Sequence, residues 1–310
     1  MAGNGESFLF ILDYRLKTAI LLPIEECLKY GILFDIEGVS NAPESADHID
    51  IQLKKNPIPF AEYLKSFQQI QTAIQKGNSY LANLTCSTPI EANASLSEIF
   101  GQSAAPYKLL FMNQFLVFSP ECFVKISQGK INTFPMKGTI DASLDGAEEL
   151  LMRNEKETAE HATIVDLLRN DLSRVASNVQ VEKYRYIERI NTSGKSLLQM
   201  SSVISGDLPP SHRDTLGDLI LELLPAGSIC GAPKQSTLNI IEKAESHERG
   251  FYTGVFGIFD GESLNSGVMI RFIENQGGQL FYKSGGGITA KSDPWEEYQE
   301  LIDKIYVPLN

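Results

Sequence analysis

The sequence predicts an α+β protein built on a mainly antiparallel sheet with helices on the outside. Short apolar or alternating runs that read as strands outnumber the helical patterns, and the two do not alternate one for one as a parallel sheet requires. Most helical patterns fall between residues 144 and 244, whereas the chain returns to strands from Gly250 before a last helix. At 310 residues and 43% hydrophobic, the chain has enough material for one large domain or two small ones.

In order, Phe8–Leu12 and Ile32–Ile36 read as strands, the second ending at Gly38. Residues 41–59 carry three prolines and several charges and contain an exposed connection. From Phe60 to Lys76, Tyr63, Leu64, Phe67, Ile70 and Ile74 recur at three- and four-residue spacing, a helix stopped by Gly77. A strand follows at Tyr80–Thr85, then strand pairs over Lys108–Ser119, then the alternation Phe123-Val124-Lys125-Ile126. Leu144–Arg174, free of proline, is two helices or one bent helix with a break at Asn170-Asp171. Val179–Ile190 and Leu197–Ile204 are strands, and Thr215–Leu223 and Lys234–Ala244 helices. The strands Tyr252–Phe259, Gly267–Glu274 and Leu280–Ser284 lead into Gly285-Gly286-Gly287 and a last helix from Pro294 to about Tyr306. No internal repeat is evident.

Composition narrows the function classes. Cys27, Cys86, Cys122 and Cys230 form no C-x-x-C pair, so a zinc site or disulfide framework is not expected and the thiols read as reduced and mostly buried. A net charge of −12 disfavours nucleic acid or an anionic membrane as partner, while a small anion remains acceptable where local cations or a metal receive it. No apolar run is long enough for a membrane span or signal segment, which makes the expected location cytoplasmic.

Several clusters can carry chemistry. Lys137 lies between Pro135 and Gly138, residues that define a bend, and is expected there rather than in a regular element. Taken alone it is an ordinary loop lysine. Glu157 and Glu160, and again Glu297 and Glu300, are three apart on expected helices, so each pair shares a face. Such pairs are usually solvated, but two faces brought together would form an oxygen-rich cage suited to Mg²⁺. His161 reads as a core or surface histidine. Gly285-Gly286-Gly287 either presents backbone N–H groups to a carboxylate or makes a tight turn. Gly227 to Lys234 fails the phosphate-loop spacing and places Pro233 where a helix-opening N–H is needed. Dinucleotide and nucleophile-elbow motifs are absent.

Seven motifs then occur together: Ser119-Pro120-Glu121; Pro135-Met136-Lys137-Gly138-Thr139; Glu157 to His161 with Val165 to Leu172; Pro225 to Lys234; Arg249 to Gly254; Ile270-Arg271; and Gly285 to Ile288 with Ser292 to Tyr298. Through these the chain resembles the chorismate-binding enzymes over about residues 60–304. The resemblance implies the chorismate-utilising fold, two packed, mainly antiparallel sheets flanked by helices (αββα). It also implies one catalytic domain over 1–310, with 1–59 a shortened N-terminal region on a core of 60–310. Anthranilate synthases carry alanine where this chain has Lys137, and the lysine is the signature of aminodeoxychorismate synthase component I. The lysine by which isochorismate and salicylate synthases activate water matches Leu81, which cannot deprotonate water.

The resemblance also implies roles. Glu121 is the general acid for the C4 hydroxyl of chorismate, and Lys137 the nucleophile at C2. Mg²⁺ lies between Glu160 and Glu300 with Glu157 and Glu297 nearby. Tyr252 and Arg271, with backbone at Gly285, hold the enolpyruvyl carboxylate; Gly138, Thr139 and Ser228 line the ring site; Lys304 assists at the ring carboxylate. Ammonia is expected from a separate glutamine amidotransferase subunit, since no cysteine has such a nucleophile context; a fused lyase is not expected either, because the chain ends directly after its last motif helix. Gln199 replaces a histidine that many relatives carry, which fits an enzyme that retains the enolpyruvyl group. The alternatives are anthranilate synthase component I and a catalytically silent protein of the same fold.

Overall fold

The computed structural model describes residues 1–43, 49–192 and 195–309. Its strands form two antiparallel sheets. The first runs Met136–Asp141, Lys195–Asp207, Lys130–Thr133, Cys122–Ser127, Leu264–Val268, Val255–Phe259, Phe8–Leu12 and Ala19–Pro23, with Ser177–Thr192 also paired to Lys195–Asp207. The second runs Gly231–Ala232, Leu81–Ala92, Gln279–Thr289, Phe272–Gln276, Phe115–Ser119, Tyr107–Phe111, Ile32–Ile36 and Val39–Ser40, with Leu53–Lys55 paired to Leu81–Ala92.

The unbroken apolar run Phe8–Leu12 follows from burial on both faces. Phe8 and Phe10 pack with Leu216, Leu219, Ile220 and Leu223 of the helix Leu216–Leu223. Leu9 and Ile11 point the other way, into a core shared with Phe34, Leu109, Val117 and Phe272 of the second sheet. That shared core joins the sheets. On the far side of the second sheet, Ala82, Leu84 and Ile288 meet Tyr63, Phe67 and Ile70 of the helix Phe60–Gln75, together with Ile241 and Leu301 of Lys234–Ala244 and Pro294–Asp303. The layers are therefore helix, sheet, sheet, helix, as expected.

The structure corrects several expectations. Lys137 lies within a strand, Met136–Asp141, not outside regular structure; the bend survives as a bulge between Lys137 and Thr139, with Gly138 at φ 76°. Gly285-Gly286-Gly287 is no tight turn but part of the strand Gln279–Thr289, paired with Thr85, Leu84 and Asn83. The expected strand Gly267–Glu274 is two strands in different sheets, because the chain changes sheet at Met269–Arg271. The long helical region breaks at Asn154, whose side chain caps Glu155–Leu172 by accepting from the Glu157 N–H, and not at Asn170-Asp171. The last helix ends at Asp303, with Lys304 as its C-cap. Ala19–Pro23, Leu53–Lys55 and the helix Leu96–Gln102 were not expected. Part of the exposed connection expected over 41–59 lies outside the described residues.

Candidate active site

Two changes of sheet build the site. The chain leaves the second sheet at Ser119 and enters the first at Cys122, with Glu121 in between; it leaves the first at Val268 and enters the second at Phe272, with Arg271 in between. The crossings are tied together, since the Val268 N–H donates to the Glu121 carbonyl (3.0 Å) and the Phe118 N–H to the Arg271 carbonyl (3.1 Å). Arg271 is held at φ 52°, a left-handed conformation uncommon for a non-glycine residue. Its neighbour Thr253, at φ 63°, donates its N–H to the Met269 carbonyl at 2.8 Å.

A cavity of about 210 Å³ opens at these crossings, lined by Glu121, Lys137, Ser228, Tyr252, Arg271, Gly285 and Lys304, with Leu81 and Gln199 also in its wall. A second, of about 730 Å³, shares Lys137, Arg271, Gly287 and Lys304 with it and is lined further by Gly138, Thr139, Glu157, Glu160, Glu297 and Glu300. Every sequence-predicted site residue thus reaches one of two adjoining cavities. Glycine is needed where the walls are thin. A Cβ at Gly287 would lie 3.8 Å from the Lys137 Nζ and 3.0 Å from Leu81, and one at Gly286 would lie 3.2 Å from the Glu297 Oε2.

Glu121 accepts a hydrogen bond from the Ser228 hydroxyl. Burial pushes its carboxyl above the usual range, against the lowering effects of that bond and of Lys137, Arg271 and Lys304. Burial also raises Tyr252, leaving a neutral phenol as a donor. Gln199 stands opposite Thr139 across the strand pair, where its amide offers hydrogen bonds but no charge.

The four predicted carboxylates ring the larger cavity. Burial raises Glu157, and the neighbouring Glu160 charge adds to it; burial raises Glu297, offset in part by a hydrogen bond with Ser292. Burial also works on Glu300, but the Lys304 ammonium 2.6 Å away, with Lys137 and Lys156, wins and lowers it. The Lys137 Nζ is 3.8 Å from Glu160 and the Lys156 Nζ 3.9 Å from Glu297. Among the described residues no group of three or more ligating side chains is already gathered for a metal. The chemistry nonetheless fits a hard dication: the donors are all carboxylate oxygens, and two of the four are raised by burial with a like charge beside them.

Lys156, Trp295 and Tyr306 line the larger cavity and Lys283 the smaller, and none was singled out from sequence. Lys156 was detectable only as the residue before Glu157 on the same first helical turn. Of the two places open to it, core or surface, His161 takes the core: fully buried, its Nε2 2.7 Å from the Ser202 hydroxyl, and pushed down to about 4 by burial.

Residues 27–310 match the family model described as chorismate binding enzyme. Over 302 residues the chain is 50% identical to a Haemophilus influenzae protein called an uncharacterized PabA-like protein, covering 97% of this chain and 92% of that one. It is 33% identical over 260 residues to aminodeoxychorismate synthase component 1 of Salmonella typhimurium, covering 79% of this chain and 56% of that one. The structure resembles that of anthranilate synthase component I from Streptococcus pneumoniae, with a TM-score of 0.70 and 27% identity, covering 84% of this chain and 60% of that one. The chain therefore spans a little over half the length of either synthase.

Proposed function

The chain belongs to the chorismate-binding enzymes, and we propose that within this family it acts as an aminodeoxychorismate synthase component I, converting chorismate and ammonia to 4-amino-4-deoxychorismate and water. One observation carries the reading: Lys137 and Glu121, whose carboxyl burial raises, share the wall of one small cavity, an amine beside an acid, and direct attack of ammonia at C2 would need no such amine.

The chemistry follows from these two groups. The neutral Lys137 amine attacks C2, the ring double bonds shift, and the C4 hydroxyl departs as water with the proton of Glu121. Ammonia then attacks C4, the double bonds return, and the lysine leaves C2 as a neutral amine. Glu121 recovers its proton from the new ammonium at C4, so protons balance. Arg271 and Tyr252 bind the enolpyruvyl carboxylate, with the backbone at Gly285; Gly138, Thr139 and Ser228 face the ring; Lys304 supports the ring carboxylate. Glu160 and Glu300, with Glu157 and Glu297 beside them, would hold a Mg²⁺ ion, which would supply charge neutralisation for that carboxylate. Ammonia comes from a glutamine amidotransferase partner, and the product leads to 4-aminobenzoate and folate. Leu81, buried against Gly287, offers no base to activate water.

The test is incubation with chorismate, Mg²⁺ and ammonium, with products identified by mass spectrometry, for wild type and Lys137→Ala. The expected product is 4-amino-4-deoxychorismate from wild type alone. Anthranilate with pyruvate would overturn the assignment in favour of anthranilate synthase, and chorismate bound but unchanged would favour the silent reading.

A further inference from the structure

The short 3-10 turn Gly227–Ile229 carries Ser228, the hydrogen-bond donor to Glu121. Two ion pairs hold this turn at its two ends, Gly227 and Ile229. On one side, the Lys234 ammonium meets Asp171 at 2.9 Å and donates to the Leu223 carbonyl at 3.1 Å, so it closes the loop that contains the turn. The Asp171 carboxylate presses on the turn itself, since a Cβ at Gly227 would lie 2.7 Å from the Asp171 Oδ2. On the other side, buried Arg249 pairs with Glu245 at 2.7 Å, stacks over the Tyr14 ring, and donates to the Ile229 carbonyl at 3.0 Å and the Asn83 carbonyl at 2.8 Å. Neither Asp171 nor Arg249 lines the 210 Å³ cavity.

We propose that Asp171 and Arg249 are positioning residues that fix the turn so that the Ser228 hydroxyl is held on Glu121. This deepens the function above and rests on Glu121 as its general acid. A buried ion pair contributes little net stability, because desolvation offsets the attraction, but losing one partner leaves an uncompensated charge and lets the local backbone move. The bond from Ser228 favours the ionised form of Glu121, so loosening the turn must raise the Glu121 pKa further.

The direct test titrates the Glu121 carboxyl by carbon-13 NMR in the free protein, assigned by difference from Glu121→Gln. Ser228→Ala, Asp171→Asn and Arg249→Lys should each titrate at higher pH than wild type. The double variant Asp171→Asn/Ser228→Ala should move no further than Ser228→Ala, and Lys234→Arg, which keeps the cation on Asp171, should titrate as wild type. Folded Asp171→Asn and Arg249→Lys proteins with lower melting temperatures but an unmoved Glu121 would overturn the proposal, as would additive shifts in the double variant. Should one variant fail to fold, the other and Ser228→Ala carry the comparison. In the chorismate assay the same variants should lose about tenfold in kcat/KM, the scale of one hydrogen bond to a charged group. A wild type without amination activity would count against the proposed function alone, since the NMR titration needs no substrate.

Discussion

The Lys137 ammonium stands 3.8 Å from the Glu160 Oε2, on a strand bulge whose glycine lets the lysine face both cavities. On the proposed mechanism the lysine must leave Glu160 to reach C2, and Glu160 would then be open to Mg²⁺. Lys137→Ala should abolish chorismate amination, by about 10³-fold or more. It should also bind Mg²⁺ more tightly, because a competing ammonium is gone. Trp295, the single tryptophan, lines the same cavity and gives a fluorescence readout of Mg²⁺ titration. Unchanged Mg²⁺ affinity would separate Lys137 from the metal cage.

Arg271 offers a planar fork from a strained backbone position, with its guanidinium 5.2 Å from the centre of the Tyr306 ring. A lysine keeps the charge and loses both the fork and the stacking. Arg271→Lys should raise KM for chorismate by about tenfold, the value of one charge-assisted hydrogen bond, with a smaller change in kcat. A fall confined to kcat would instead place Arg271 at the reacting atoms.

Glu297 is almost wholly buried, and burial raises its carboxyl. The folded protein therefore holds that proton more tightly than the unfolded chain. The resulting stability cost is absent below the unfolded pKa, about 4.3, grows as pH rises through the folded value, and is complete above it. In EDTA at pH 7, Glu297→Gln should melt at a higher temperature than wild type, and the gain should vanish as the pH falls below about 4. Saturating Mg²⁺ should narrow or reverse the difference, because it binds the native wild type. An equal gain at all pH values would mean that packing, not charge, explains the effect.

How much of this was readable in the chain depends on what each signal rests on. Phe60–Gln75 was clear because its apolar face is periodic, and the layer order followed once strands were seen to outnumber helices. The sheet change at Arg271 leaves no break in the pattern, since the buried apolar residues Val268, Met269, Phe272 and Ile273 run across it; Gly267–Glu274 accordingly reads as one strand. Ala19–Pro23 was missed for the opposite reason, as an edge strand with half-exposed residues. The site residues were found through motif resemblance, and their spacing alone left the glutamate pairs as ordinary solvated faces. Asp171 and Arg249 lay inside quoted motifs, yet their grip on the Ser228 turn depends on contacts between distant segments that no local pattern encodes.

Gly231 joins that turn to the second sheet. It pairs with Ala82 in the two-residue strand Gly231–Ala232, and its φ of 131° lies outside the range that other residues adopt. A Cβ there would stand 1.8 Å from the Leu81 carbonyl oxygen, a clash with backbone that no rotamer relieves. Gly231→Ala must therefore push the strand off Leu81 and Ala82 and drag the Ser228 turn with it. The cost should be on the order of 3 kcal/mol, a fall in melting temperature of about 6 °C or more, with the Glu121 titration disturbed as well. Gly277 supplies the control: its φ of 63° is also left-handed, but a Cβ there meets nothing within 4 Å. Gly277→Ala should cost only about 1 kcal/mol and leave Glu121 as it is. Equal losses in the two variants would show that backbone strain, not the contact with Leu81, is what Gly231 relieves.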